Sequence, residues 1–167
     1  MSTFSQISPE ALSDNTIKLI GKEWMLVTAK SDNKVNTMTA SWGGLGVMWG
    51  KPVAFVVIRS SRYTKEFIDQ EESFSLSFFG NAYKKHLGYL GTVSGRDEDK
   101  IAKSGLTVVE DEVPYFEEAR LVLKVKTLYA QEMKKDCFLN QEYCEKWYPN
   151  ENYHTLYVAE ITEALTK

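Results

Sequence analysis

The sequence is short of the residues on which several kinds of function depend. Of 167 residues, two are cysteine, two are histidine and four are proline. Cys137 and Cys144 form no CxxC pair and belong to no His/Cys ligand set, so no metal site is expected. Both read as free thiols, with a redox pair as the alternative in a reducing compartment. No apolar run approaches the ~20 residues that cross a bilayer. Met1–Gln6 shows neither the basic nor the apolar region of a secretory signal. The expectation is a soluble, cytoplasmic protein with no membrane partner. P-loop, dinucleotide-fingerprint, nucleophile-elbow and HExxH patterns are missing as well, which argues against nucleoside triphosphate, Rossmann, serine hydrolase and zinc protease chemistry. Charge of one sign is also lacking. Twenty Lys+Arg face 23 Asp+Glu for a net charge of −3; a nucleic-acid partner is not expected, and a phosphate would have to be met by a local patch.

What is present is an ordinary globular composition, 43% hydrophobic and 26% charged, with no repeat or linker to divide it. One domain over 1–167 is the simplest reading. The unusual feature is an aromatic content of 13%, with four Trp, nine Tyr and eight Phe. Some of these rings would serve a ligand or a partner; the plainer account is that they fill the core.

Ser8-Pro9-Glu10 is a helix start, with a capping hydroxyl, a proline at the first position and an acidic first turn, and the helix should end by Gly21. From Trp24 the period becomes two. Strands are expected over 24–30, 37–41, 53–59, 74–79, 106–109, 117–130 and 155–163, and short helices over 64–71, 82–90 and 97–103, the last stopped by Gly105. About seven strands without regular intervening helices predict a mainly β, antiparallel barrel with a few short helices, since closure removes exposed edges. The segment 131–154, irregular and aromatic, reads as a lid, a partner contact or a disordered excursion.

Three constellations could carry chemistry. The strand Val53–Ile58 runs into Arg59-Ser60-Ser61-Arg62-Tyr63-Thr64 and then a helix, so two guanidiniums, hydroxyls and free helical amides meet at one corner. That suits a phosphate dianion; a solvated, capped turn is the alternative. Asn36–Gly44 is a run of small hydroxyl residues ending in Trp42-Gly43-Gly44, which would let a flat ligand approach the backbone, or would form a tight turn after an edge strand. Gly91–Lys100 is a glycine-containing loop before a helix, where capping by Ser94 or Asp97 is the plain reading. His86 sits beside two lysines on a solvated face. His154, before the last strand, is a candidate proton donor or a structural hydrogen-bond partner.

Taken with Ser75–Phe79 and Tyr153-His154-Thr155, these motifs in this order resemble the flavin reductase-like family, specifically its flavoredoxin branch, over about 24–161. The resemblance implies an FMN-binding split β-barrel of Greek-key-like connection, working as a homodimer. It places Thr39, Ala40, Ser41 and Trp42 along the isoalloxazine and ribityl chain, and Arg59, Arg62 and Thr64 on the phosphate with Ser60 and Tyr63 beside them. Ser77, Phe78 and Phe79 would form part of the wall, and Ser94, Gly95 and Lys100 would approach from a neighbouring loop or the other subunit. His154 falls where many such reductases carry a histidine near the nicotinamide, although Tyr153 stands for the more usual acidic residue and Ala159 for a glycine. The activity implied is NAD(P)H-dependent FMN reduction, with NADH or NADPH as hydride donor. The alternative is a flavoredoxin-type FMN electron carrier reduced by a protein partner, and a barrel that has lost its flavin and binds another protein through the aromatic lid is a third reading.

Overall fold

The computed structural model describes residues 3–167; the first two residues of the amino-terminal segment read above lie outside it. The described residues form ten strands and five short helices: β1 (Ser5–Ile7), α1 (Thr16–Lys18), β2 (Met25–Ser31), β3 (Lys34–Ala40), β4 (Gly43–Met48), β5 (Lys51–Arg59), α2 (Tyr63–Glu71), β6 (Ser73–Phe78), α3 (Lys84–Thr92), α4 (Lys100–Ser104), β7 (Val108–Val109), β8 (Tyr115–Phe116), β9 (Leu121–Glu132), α5 (Gln141–Trp147) and β10 (His154–Thr166). The main sheet is antiparallel in the order β3-β2-β6-β9-β10-β5-β4, with β1 added to β10. Its two edges, β3 and β4, are joined by Ser41 and Trp42 alone. A two-residue link cannot span a flat sheet of seven strands, so the sheet curls until its edges meet, and the barrel expected from the sequence follows.

Alternation along the strands produces two cores. Val27, Met38, Ala54, Val56, Phe74, Leu76, Phe78, Leu123 and Tyr157 point into the barrel, which α2 covers with Phe67 and Ile68. The opposite faces of β2 and β9 supply Leu26 and Val122 to a second cluster with Phe79, Leu87, Leu90 and Phe116. Both faces of these strands are therefore apolar, each large side chain contributing about 1.5–3 kcal/mol of burial.

Departures from the expected elements have local causes. The first helix breaks into a 3-10 turn at Pro9–Ala11, capped by Ser8, and a second piece from Thr16 to Glu23, because Leu12 turns extended and Asn15 caps anew. Gly43–Met48 is strand β4, which the sequence does not predict, since glycines hide a strand signal. Gly43 has φ +139, and any Cβ there would strike the Phe55 carbonyl oxygen opposite, so close pairing with β5 demands glycine. The β4–β5 turn uses Trp49 and Gly50, both at positive φ, as the primed hairpin turn requires. Only two residues of the strand expected over 106–109 pair, and β1 and β8 were too short to read. The segment 131–154 holds the end of β9, a 3-10 turn at Lys135–Cys137 and α5, capped by Asn140.

Candidate functional site

The corner between β5 and α2 forms one end of a cleft. Arg62 holds the extended N-cap position of α2, and no side chain caps the first-turn amides. Its guanidinium reaches across the barrel mouth, donating to the carbonyls of Gly91 (3.2 Å) and Thr39 (3.3 Å). Burial, and then the charge of Arg59, lower its pKa. Lys100 opens α4 and is 3% exposed, its ammonium donating to Leu90 and Val93 carbonyls at 2.8 Å each. Burial, followed by repulsion from Arg62, pushes its pKa down to about 8. Neither cation has a carboxylate partner among the described residues. A small cavity of about 200 Å³ opens between them, lined also by Asn36, Tyr63, Thr64, Ser94 and Gly95. Thr64 accepts from Asn36 Nδ2 at 2.8 Å. A Cβ at Gly95 would land on Asn36 Oδ1, so the loop must carry glycine for that amide to keep its place. Arg96 braces the loop from outside through an ion pair with Glu66 and a bond to the Ser61 carbonyl.

A second pocket of about 380 Å³ adjoins this cavity and shares Met38, Ser61 and Arg62 with it, walled by Thr39, Ala40, Ser41 and Trp42 on one side and Val57, Arg59, Trp147 and His154 on the other. Thr39 is pinned by its hydroxyl to the Leu87 carbonyl at 2.5 Å, and Gly91 packs against its side chain. The small residues of β3 leave room for a flat group beside the backbone.

The far end of the cleft is aromatic. Trp42 meets Trp147 edge to face at 4.9 Å and lies 5.1 Å from the His154 ring. His154, 8% exposed, has Nδ1 2.7 Å from the Tyr148 hydroxyl. Burial, with Arg59 and then Arg62, holds its pKa down at about 4, so the ring is neutral at physiological pH. Arg59 is committed to the segment that carries these rings. It donates to the Asn152 (2.9 Å) and Trp147 (3.1 Å) carbonyls and stacks over Tyr148 at 5.0 Å.

The structure thus gathers Thr39, Ala40, Ser41, Trp42, Arg59, Arg62, Tyr63, Thr64, Ser94, Gly95, Lys100 and His154 around two adjoining pockets of one cleft. Ser60 lies beside it, its hydroxyl shared between Glu132 and the Tyr153 carbonyl. Ser77, Phe78 and Phe79 are not in its lining: Phe78 points into the barrel, Phe79 belongs to the second cluster, and Ser77 is fully buried with an unpartnered hydroxyl. Asn36 and Ser61 join the site although the sequence gives neither a role there; both lie inside the quoted motifs, and that position was the available signal. Trp147 ends α5 and Tyr148 follows it, in a segment for which no register is readable from the sequence. Among the described residues no group of His, Cys, Asp and Glu could hold a metal, both cysteines are free thiols, and no helix is long and apolar enough to cross a membrane.

Residues 18–167 match the family model described as flavin reductase like domain. The chain is 32% identical over 91 residues to the uncharacterized protein YddH of Escherichia coli K12; the match takes in 53% of this chain and spans about half of that relative, 48%. Among solved structures it is similar to an FMN-binding domain of a flavin reductases-like enzyme from Shewanella baltica OS155 (19% identity, 99% of this chain and 78% of that one, TM-score 0.71). It is also similar to a flavoredoxin from Methanosarcina acetivorans (24% identity, 98% and 75%, TM-score 0.68). A third is the styrene monooxygenase flavin reductase of Pseudomonas putida S12 (15% identity, 86% and 79%, TM-score 0.63). At these identities the likeness is one of fold.

Proposed function

The chain belongs to the flavin reductase-like family, and from that premise we propose that its cleft binds FMN non-covalently and that the protein is an NAD(P)H-dependent FMN reductase acting by hydride transfer. The observation that carries the flavin reading is the pair Arg62, half-buried, and Lys100, buried, neither with a carboxylate among the described residues, on a cavity of about 200 Å³. Leaving such charges unpaired is costly, and a dianion at that point relieves both at once. The fit extends along the cleft: the uncapped amides of α2 add their positive field, and the narrow wall at Thr39–Ser41 offers backbone groups to a planar ring. FMN, when bound, supplies the redox chemistry, its isoalloxazine accepting the hydride. The chain's own part is to hold the phosphate with Arg62 and Lys100, to orient the ring along β3, and to exclude water with Trp42 and Trp147.

A flavoredoxin-type carrier reduced by a protein partner is favoured by one specific feature. Trp147 packs on Trp42 and its carbonyl is held by Arg59, so α5 covers the end of the cleft where a nicotinamide would have to enter. The working form is a cytoplasmic homodimer of a single domain. Its support is the exposed apolar run of edge strand β4 and its turn, where Val47 is 74% and Trp49 59% exposed, next to Trp42. A second copy would cover it, and the mass by light scattering tests this.

The purified protein is expected to be yellow, or to bind added FMN stoichiometrically; neither occurring overturns the flavin reading. Anaerobic NADH or NADPH then separates the two functions. Rapid bleaching by either donor supports the reductase, and bleaching only by a reduced protein donor replaces it with the carrier.

A further inference from the structure

The geometry points to Tyr148 as a positioning residue: its hydroxyl donates to His154 Nδ1, which leaves the ring proton on Nε2 and presents that N–H to the cleft as a neutral hydrogen-bond donor. The contact is short, 2.7 Å, and buried. The tyrosine hydroxyl has one proton and two neighbours able to receive it, His154 Nδ1 and the Met133 thioether at 3.6 Å. An imidazole nitrogen is much the stronger acceptor, so the proton goes to the ring. Arg59 above the Tyr148 ring, at 5.0 Å, reinforces this direction by making the phenol a better donor. His154 Nε2 makes no hydrogen bond within the described residues, and the ring lines the cleft beside Trp42.

The charged and titratable groups around the ring agree. Arg59 on the paired strand β5 and Arg62 at the head of α2 disfavour a second ring proton, while Glu132 on β9 is engaged by Ser60 Oγ at 3.3 Å. His154 is then no proton donor near neutral pH. It offers a fixed N–H to an uncharged acceptor, a carbonyl oxygen or ring nitrogen of the bound molecule. The inference rests on the flavin reading only for the identity of that acceptor.

The test is nitrogen NMR on ligand-free protein labelled with 15N-histidine, the two rings being separated by His86→Gln. The expected result is a pyrrole-type Nε2 and an imine-type Nδ1 for His154, unchanged from about pH 6 to about pH 8. In Tyr148→Phe the two tautomers should mix and the titration midpoint should rise by about one unit. An Nδ1–H tautomer in the unmodified protein overturns the assignment without any variant, as do identical nitrogen shifts in Tyr148→Phe. FMN titration of the same samples reads the flavin separately: an Nε2–H ring in protein that binds no FMN sustains the role of Tyr148 and removes the ligand identity alone.

Discussion

Arg59 and Arg62 stand three residues apart in one motif and look interchangeable as phosphate ligands, yet they serve opposite ends of the cleft. Arg62 spans two carbonyls beside Lys100, which holds two more, and neither cation has a counter-charge among the described residues. Arg59 ties down the Trp147 and Asn152 carbonyls and the Tyr148 ring. The difference follows from the strand-to-helix corner. Arg59 is the last residue of β5, paired with His154, so its side chain emerges on the β10 side. Arg62 has passed the turn and faces α3 and β3. At one end of the cleft the cations have only carbonyl partners, while at the other Arg59 and the aromatic segment satisfy each other. A pair of arginines in sequence is not a pair in space.

The sharpest way to break this comparison is to remove each arginine alone. Arg62→Ala takes away charge-assisted bonds worth about 1.5–3 kcal/mol, so FMN affinity should fall about 10- to 100-fold. Arg59→Ala should cost less than about tenfold, while freeing the lid so that Trp147 fluorescence shifts toward that of an exposed indole. Titration of each variant by flavin fluorescence decides: equal losses would erase the distinction between the two ends.

A smaller effect comes from the loop that shapes the anion end. Gly95→Ala puts a methyl where Asn36 Oδ1 lies, and Asn36 must give up its bond to Thr64 to make room. Overpacking of this kind costs about 1–3 kcal/mol. A lowered melting temperature with weakened FMN binding is expected; unchanged values for both would mean that the loop moves freely and does not shape the cavity.

How much of this was legible depended on distance along the chain. The β5–α2 corner is local, so its residues could be read together, and Thr39–Trp42 followed from one strand and its end. The failures were of register and of long-range partnership. Ser77 and Phe78 sit on a strand buried on both faces, where an apolar run does not say which way a residue points. Arg59 was assigned by its neighbours in sequence, whereas its partners lie 88 and 93 residues on. α5 carried a readable cap at Asn140, but its apolar residues are too few to show a helical period.

The mildest effect, and the most selective, is on pH. Lys100 has a pKa of about 8 in the folded protein against 10.5 ordinarily. Between these values the unfolded chain binds more protons than the folded one, so the ligand-free protein should gain stability as pH rises from about 8 toward about 10.5. FMN binding should behave oppositely. A phosphate dianion beside Lys100 favours the protonated amine, so affinity should fall across the same window, by less than about tenfold per unit. His154 acts elsewhere: neutral in the fold down to about 4, it costs stability as pH falls below about 6.5, where the unfolded histidine takes up its proton. In Arg62→Ala the repulsion on Lys100 is relieved, and the alkaline window should move upward. Melting curves and FMN titrations over this range test the arrangement. A stability that rises with pH in Lys100→Met just as in the parent would show that Lys100 is not the group responsible, and the anion end would then rest on Arg62 alone.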